Sequence, residues 1–262
     1  MADRGRTGRE GVLASEERVR ADRLLVEAGL FESRARAQAA IAAGLVRADG
    51  APVRRASDLL SRAAVLGAEA PHPFVSRGGL KLEAALDAFG VDPAGLTCLD
   101  LGASTGGFTD VLLRRGAARV YAVDVGRGQL HPRIAADPRV VSHEATDARG
   151  LAPDLFAAPP ALAVVDVSFI SLRLVLPVLP ALLAPAARLV ALIKPQFEAG
   201  RERVGRGGLV RDAAVQAEVC AGIRDLVGAL GFRVEGLIPS PIEGGDGNRE
   251  FLIGARRSED RA

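Results

Sequence analysis

Lysine is almost missing from this 262-residue chain, which carries two, Lys81 and Lys194, against thirty-two arginines. A guanidinium keeps its proton under nearly all conditions, whereas an ammonium can lose one when desolvated. The two remaining lysines are therefore candidates for chemistry that arginine cannot perform. Cysteine is equally rare. Cys98 and Cys220 lie far apart without metal-ligand spacing, which excludes a disulfide framework and fits a reducing, cytoplasmic compartment, with both thiols as small apolar fillers. No long apolar run is present: the most hydrophobic stretch, Leu172 to Ile193, is interrupted by Arg173, Pro177, Pro180, Pro185 and Arg188. The N-terminal MADRGRTGRE has no apolar signal region either, so neither a membrane span nor export is expected. Charge of one sign is also lacking. A net charge of +2 is too small to announce an acidic partner, and only local clustering of arginines carries an electrostatic signal.

What is present describes a folded chain: 48% hydrophobic and 25% charged residues are ordinary globular values that allow a sizeable core. The length suits one large domain and one small one. Residues 1–17 mix Arg, Gly, Asp and Glu without periodicity and read as a tail. A small α+β domain is expected over 18–70, a rigid linker over 71–75 around Pro71, His72 and Pro73, a large domain over 76–257 and a short tail over 258–262. In the small domain, two short helices precede a strand and turn. Leu24 and Leu25 are buried, Gly29 ends the first helix, Ser33 caps the second, Ala37, Ala40 and Ile41 share one face, and the strand turns at Asp49-Gly50.

Between Arg18 and Arg62 stand nine arginines and five acids, a basic module whose guanidiniums could converge on phosphates. The segment RADRLLVEAGLFESRARAQAAIAAGLVRADGAPV resembles the small RNA-binding domain first seen in ribosomal protein S4. That resemblance implies RNA binding, with Arg18, Arg20, Arg34, Arg36 and Arg55 as expected contacts.

In the large domain, strands are expected at 97–101, 119–123, 140–143, 162–165, 189–193, 233–238 and 250–255. Helices are expected at 80–89, 107–115, 172–183 and 213–230. Such alternation implies an α/β fold with a mainly parallel seven-stranded sheet covered on both faces, its last two strands forming an antiparallel pair at one edge.

After the first strand, LDLGASTGGFTDVLL makes a glycine-rich turn that opens a helix at the carboxyl end of a strand, where ligands of such sheets sit. Asp124 ends the next strand, 24 residues after Asp100, a spacing suited to an acid that accepts hydrogen bonds from a ribose. NAD would use the same geometry, but GASTGGF does not have the G-x-G-x-x-G spacing and no hydride-transfer residues follow. The arrangement resembles class I (Rossmann-like) methyltransferases. This implies S-adenosylmethionine as cofactor, held by Gly102, Ala103, Ser104, Gly106, Gly107, Phe108 and Asp124, with Asp147 near the adenine and Asp166 facing the donor.

Four ionisable residues then stand beside apolar elements: Lys81 in SRGGLKL, Asp166 in VVDVSFIS, Lys194 in ALIKPQFE and Glu250 in GNREFLI. Asp166 and Lys194 fall at the carboxyl ends of the fourth and fifth strands, on the edge that carries the glycine turn. The set resembles the Lys-Asp-Lys-Glu tetrad of ribose 2′-O-methyltransferases related to FtsJ. With GASTGGFTDVLL, DVGRGQL, DVSFISL and KPQFE in order, Arg18 to Arg257 resembles the TlyA family of ribosomal RNA 2′-O-methyltransferases, often labelled haemolysins. The resemblance implies ribosomal RNA or ribosomal subunits as partner, a cytidine ribose as acceptor and no metal. A ribose hydroxyl is a poor nucleophile and needs a base. Lys194 is expected to be that base, its neutral form favoured by burial, by Lys81 and by the positive sulfur, and opposed by Asp166 and Glu250. The rival readings are a non-catalytic ribosome-assembly factor, which an intact tetrad disfavours, a haemolysin, for which no long amphipathic element is present, and a base methyltransferase. The last would call for an aromatic-lined pocket, and aromatic residues make up 4% of the chain.

Overall fold

The computed structural model describes residues 17–68 and 72–257. They belong to two compact units, one ending at Pro73 and one beginning at Phe74. The tails expected at the two ends, Glu17 apart, and Pro71 of the linker lie outside the described residues.

In the N-terminal unit, strand β1 (Arg18–Arg20) runs into helix α1 (Ala21–Glu27), and α2 (Arg34–Ala42) follows. Gly29, at φ +70°, ends the first helix by donating its N–H to the Val26 carbonyl, a conformation that costs glycine little. The Ser33 hydroxyl accepts the Arg36 N–H at 3.3 Å and caps the second helix. Strand β2 (Val46–Ala48) turns through Asp49 and Gly50, at φ 50° and 79°, into β3 (Ala51–Pro52). That is the two-residue hairpin that positive φ at both central residues favours. Strand β4 (Leu59–Ser61) pairs with β1 and β5 (Leu66–Ala68) with β2, all antiparallel. Leu25, Ala37, Ala40, Ile41 and Val46 form the unit's core. The sequence reading expects a single strand here. The others escape it because two or three residues are too few to show alternation.

Asp22 is wholly buried in this unit. It accepts hydrogen bonds from Arg20 Nε at 3.1 Å, Arg34 Nη2 at 2.8 Å and Gln38 Nε2 at 2.7 Å. The Arg20 guanidinium foremost, then Arg34 and Gln38, hold this carboxyl well below the usual carboxylate range against the opposing effect of burial. A depressed carboxyl contributes stability that is complete above its unfolded value of about 4 and is lost as pH falls. Hydrogen exchange of the full chain should show α1 and α2 losing protection below that pH. In Asp22→Asn, protection should be lower at neutral pH and insensitive to acid; equal acid sensitivity in both proteins would remove Asp22 as the cause.

The second unit is built on seven strands: β6 (Thr97–Leu101), β7 (Arg119–Val123), β8 (Val140–His143), β9 (Leu162–Val165), β10 (Arg188–Ile193), β11 (Phe232–Pro239) and β12 (Phe251–Arg257). Their order across the sheet is β11-β12-β10-β9-β6-β7-β8. The first five are parallel, while β12 runs antiparallel to both β10 and β11. The antiparallel pair at one edge follows from the short chain between β11 and β12, which leaves no room for a crossover helix.

Helices α3 (Gly78–Ala88) and α4 (Gly107–Arg114) cover one face; α6 (Leu172–Val175), α7 (Leu179–Leu182) and α9 (Ala213–Ala229) cover the other. Short α5 (Pro132–Ala135) and α8 (Pro195–Glu198) complete the unit. Side chains alternate between the faces. In β6, Cys98 packs with Leu82, Leu86 and Leu112 on the α3/α4 side, while Leu99 and Leu101 pack with Leu176, Leu179 and Ile223 on the other. Burial pushes the Cys98 thiol up to about 12 and the Cys220 thiol to about 11, so both are inert fillers.

One expected element is corrected. The single helix over 172–183 is broken into α6, a 3-10 turn at Leu176–Val178 and α7, because Pro177 and Pro180 supply no amide proton to a continuous helical ladder.

Candidate active site

The sheet order reverses between β6 and β9, and a crevice opens at the carboxyl ends of these two strands, as the topology of open α/β sheets dictates. Gly102, at φ +84°, leaves β6 pressed against the end of β9. A Cβ there would stand 2.3 Å from the Asp166 carbonyl oxygen, so no other residue fits without displacing backbone. Ser104 is itself held at φ +47°. Its N–H donates to Asp124 Oδ2 at 2.8 Å, and the Gly126 N–H donates to Oδ1 at 2.7 Å. The backbone thus fixes the Asp124 carboxylate at the end of β7, with lone pairs remaining for further donors.

Two cavities share Gly102, Ser104, Asp166 and Ser168 as walls. One, of about 290 Å³, is also lined by Ala103, Gly107, Phe108, Lys81 and Lys194. The other, of about 320 Å³, is lined by Asp124, Val125, Gln129, Thr146 and Asp147. Gly106 lines neither cavity. It turns toward Leu130 and Ile134, and a Cβ would lie 2.9 Å from the Leu130 side chain. It stands at φ +90° immediately before α4. Asp147 caps the 3-10 turn Ala148–Gly150 and is exposed; the Arg149 guanidinium holds its carboxyl down to about 2.

The four ionisable residues singled out in the sequence come together as two ion pairs. Lys81, from α3, bonds to Glu250, which immediately precedes β12; their side chains are 10% and 3% exposed. Lys194, at the end of β10, lies 2.6 Å from Asp166 Oδ1, at the end of β9, and its Nζ donates to Ser168 Oγ at 2.7 Å. Lys81, Asp166 and Lys194 line the same cavity, and Glu250 reaches it through Lys81.

Ser168 escaped the sequence reading. The available signal was its place two residues beyond Asp166, in the same turn after β9. Asp100 was missed as well. Fully buried beneath the glycine turn, it accepts the Thr109 hydroxyl at 2.6 Å. Burial, with Asp166 and Asp124 adding repulsion, pushes its carboxyl up to about 7. Of the five arginines expected to meet RNA, Arg20 and Arg34 bind Asp22 with 46% and 57% of their side chains still exposed. Arg18 and Arg55 are exposed and Arg36 is half-buried.

The strand order, the glycine turn at the reversal point and the acid ending the neighbouring strand define a class I methyltransferase, the class whose methyl donor is S-adenosylmethionine. Residues 74–257 match the FtsJ-like methyltransferase family, and residues 19–66 match the S4 domain. The chain is 47% identical to YqxC of Bacillus subtilis (strain 168), described as a candidate rRNA methyltransferase, over 91% of this chain and 86% of that protein. It is 45% identical to the 16S/23S rRNA (cytidine-2′-O)-methyltransferase TlyA of Mycobacterium tuberculosis, over 94% of this chain and 92% of that one. A solved structure from Streptococcus thermophilus, described as a candidate hemolysin, is 42% identical with a TM-score of 0.73, covering 94% of this chain and 90% of the other. The chain belongs to the FtsJ-like methyltransferase family, in the TlyA branch that also carries an S4 domain. No helix among the described residues is long and apolar enough to cross a membrane.

Proposed function

We propose that this enzyme methylates the 2′-hydroxyl of a cytidine in ribosomal RNA, with Lys194 as the general base. The observation that carries the reading is the meeting of two buried lysine-carboxylate pairs at one crevice with the glycine turn. S-adenosylmethionine, when bound, supplies a methyl group on a positive sulfur, an electrophile that needs no further activation. The chemistry of the walls fits it. Gly102, Ala103, Ser104, Gly107 and Phe108 would hold its methionine portion, Asp124 would accept its ribose hydroxyls, and Asp147 would flank its adenine.

The chain's own task is to bring a ribose hydroxyl into line and remove its proton. A neutral lysine amine has two N–H groups and one lone pair. Ser168 Oγ accepts one N–H group of Lys194, and the Asp166 carboxylate stands 2.6 Å away as its charge partner; the lone pair of the neutral amine would take the acceptor's proton. Lys81, held by Glu250, places a positive charge where the hydroxyl oxygen gains negative charge. Alignment of the reacting atoms contributes the larger part of the rate. The exposed faces of Arg18, Arg20, Arg34, Arg36 and Arg55 would meet RNA phosphates, with counterion release favouring binding.

The test is to incubate the protein with ribosomal subunits and S-adenosylmethionine, then map the product by mass spectrometry and alkali resistance. One or more cytidines gaining a methyl group and resistance to alkaline cleavage is the expected result. A methyl group on a base, or none, defeats the proposal, and the second outcome would favour a non-catalytic assembly factor. Adding the protein to red cells should produce no lysis.

A further inference from the structure

The turn after β9 and the turn after β10 are joined by side chains at successive points. At the crevice, Lys194 stands against Asp166 and Ser168. Farther along, the ring centroids of Phe169 and Phe197 are 5.3 Å apart. Last comes Glu198, which spans from one turn to the other: its Oε2 accepts the Ser171 hydroxyl at 2.6 Å, and its Oε1 accepts the Leu172 N–H at 2.7 Å. Both carboxylate oxygens are thereby committed to one short stretch of the neighbouring turn. Burial raises this carboxyl above its ordinary value, with the Ser171 hydroxyl and the Leu172 N–H opposing, and partial burial strengthens the two hydrogen bonds relative to those in water.

The turn after β9 has little of its own to fix its shape. The Asp166 N–H donates to the Leu101 carbonyl at 2.9 Å, but no N–H of residues 167–170 donates to an acceptor among the described residues. In the middle stands Phe169, at φ +63° and 92% exposed. A bulky side chain adopts that conformation only where its surroundings impose it, and a ring so exposed recovers little of the cost by burial. The conformation is therefore imposed from the two ends, by Asp166 on β6 and by Glu198 on Ser171 and Leu172. Ser168 lies between them.

Given Lys194 as the base, as proposed above, we propose that Glu198 is a positioning residue of the methyl transfer: by tying the turn after β9 to the turn after β10, it keeps Ser168 against the amine of Lys194. Glu198 acts through Ser168 and touches none of the reacting atoms. Without the tie, Phe169 relaxes to a negative φ and carries the adjoining Ser168 with it. The Ser168 oxygen, which orients one N–H of Lys194 and with it the lone pair, is then displaced. A misplacement of about an ångström at a reacting group costs up to about a hundredfold in rate.

The test compares the full-length wild type with Glu198→Ala, Glu198→Asp and Glu198→Gln in steady-state methyl transfer to ribosomal subunits. Alanine removes the tie, and aspartate keeps the charge but falls one methylene short. Glutamine keeps the reach, accepting the Leu172 N–H and donating to the Ser171 hydroxyl oxygen. The alanine and aspartate variants should lose about tenfold to a hundredfold in kcat, while Glu198→Gln stays within about threefold of the wild type. KM for the subunits should move by less than about twofold, the mark of an interaction that matters in the transition state. The route through Ser168 is read from a double-mutant cycle: Ser168→Ala/Glu198→Ala should be about as slow as the slower single variant. Hydrogen exchange over 166–174 should be faster in the alanine and aspartate variants and unchanged in Glu198→Gln. An active Glu198→Asp beside a slow Glu198→Gln, or losses that multiply in the cycle, overturns the assignment; the aspartate and glutamine variants decide it if alanine impairs folding. If the wild type methylates ribose and Glu198→Ala keeps its kcat, this assignment fails and the reaction stands. If the wild type methylates no ribose, the reaction fails, and the exchange pattern alone decides whether Glu198 holds the turn.

Discussion

Lys194→Arg is expected to bind S-adenosylmethionine as tightly as the wild type and to transfer methyl groups about a thousandfold more slowly, within the range that a positioned base contributes. Arginine can still pair with Asp166. What disappears is an amine able to present a lone pair. The guanidinium lone pairs are delocalised, and the group stays protonated under essentially all protein conditions. A chain with thirty-two arginines and two lysines has not used lysine as a generic cation, and Lys194 sits where a proton must be taken: beside Asp166 and Ser168, at the rim that carries the glycine turn. Donor affinity from calorimetry and transfer from a radiolabelled methyl assay on ribosomal subunits separate binding from chemistry. Turnover within tenfold of wild type would show that alignment alone drives the reaction and that Lys194 is no base.

The second large effect concerns stability. Glu250→Ala removes the carboxylate from a lysine that is 10% exposed. An ammonium left buried without its partner costs about 3–5 kcal/mol, a large part of the stability of an ordinary domain. The double variant Lys81→Met/Glu250→Leu removes both charges and fills the space with apolar atoms. Exchanges of this kind are often neutral or stabilising. Urea unfolding of the full chain should therefore give a depressed midpoint for Glu250→Ala and a midpoint near wild type for the double variant, yet neither should methylate. If Glu250→Ala unfolds at the wild-type midpoint, the Lys81–Glu250 pair is not closed to solvent as its burial implies. If the double variant methylates, Lys81 has no part in stabilising the acceptor oxygen.

Much of this enzyme can be read along its chain because the determining physics is local. Short apolar runs alternating along the chain with helical patterns specified the strands and their mainly parallel pairing. The glycines of GASTGGF and the acid ending the next strand marked the crevice, since a tight turn and a strand end are set by neighbouring residues. The scarcity of lysine pointed to Lys81 and Lys194 before any contact was known. Only the tertiary structure decided which carboxylate each lysine meets: Lys81 and Glu250 are 169 residues apart, and no local rule relates them. It also decided that Arg20 and Arg34 bind a buried aspartate as well as offering charge to solvent, that Gly102 is pressed against the end of β9, and that Ser168 borders the crevice. Those assignments depend on which strand ends lie side by side, which is settled by packing helices on both faces of a twisted sheet and not by any stretch of sequence alone.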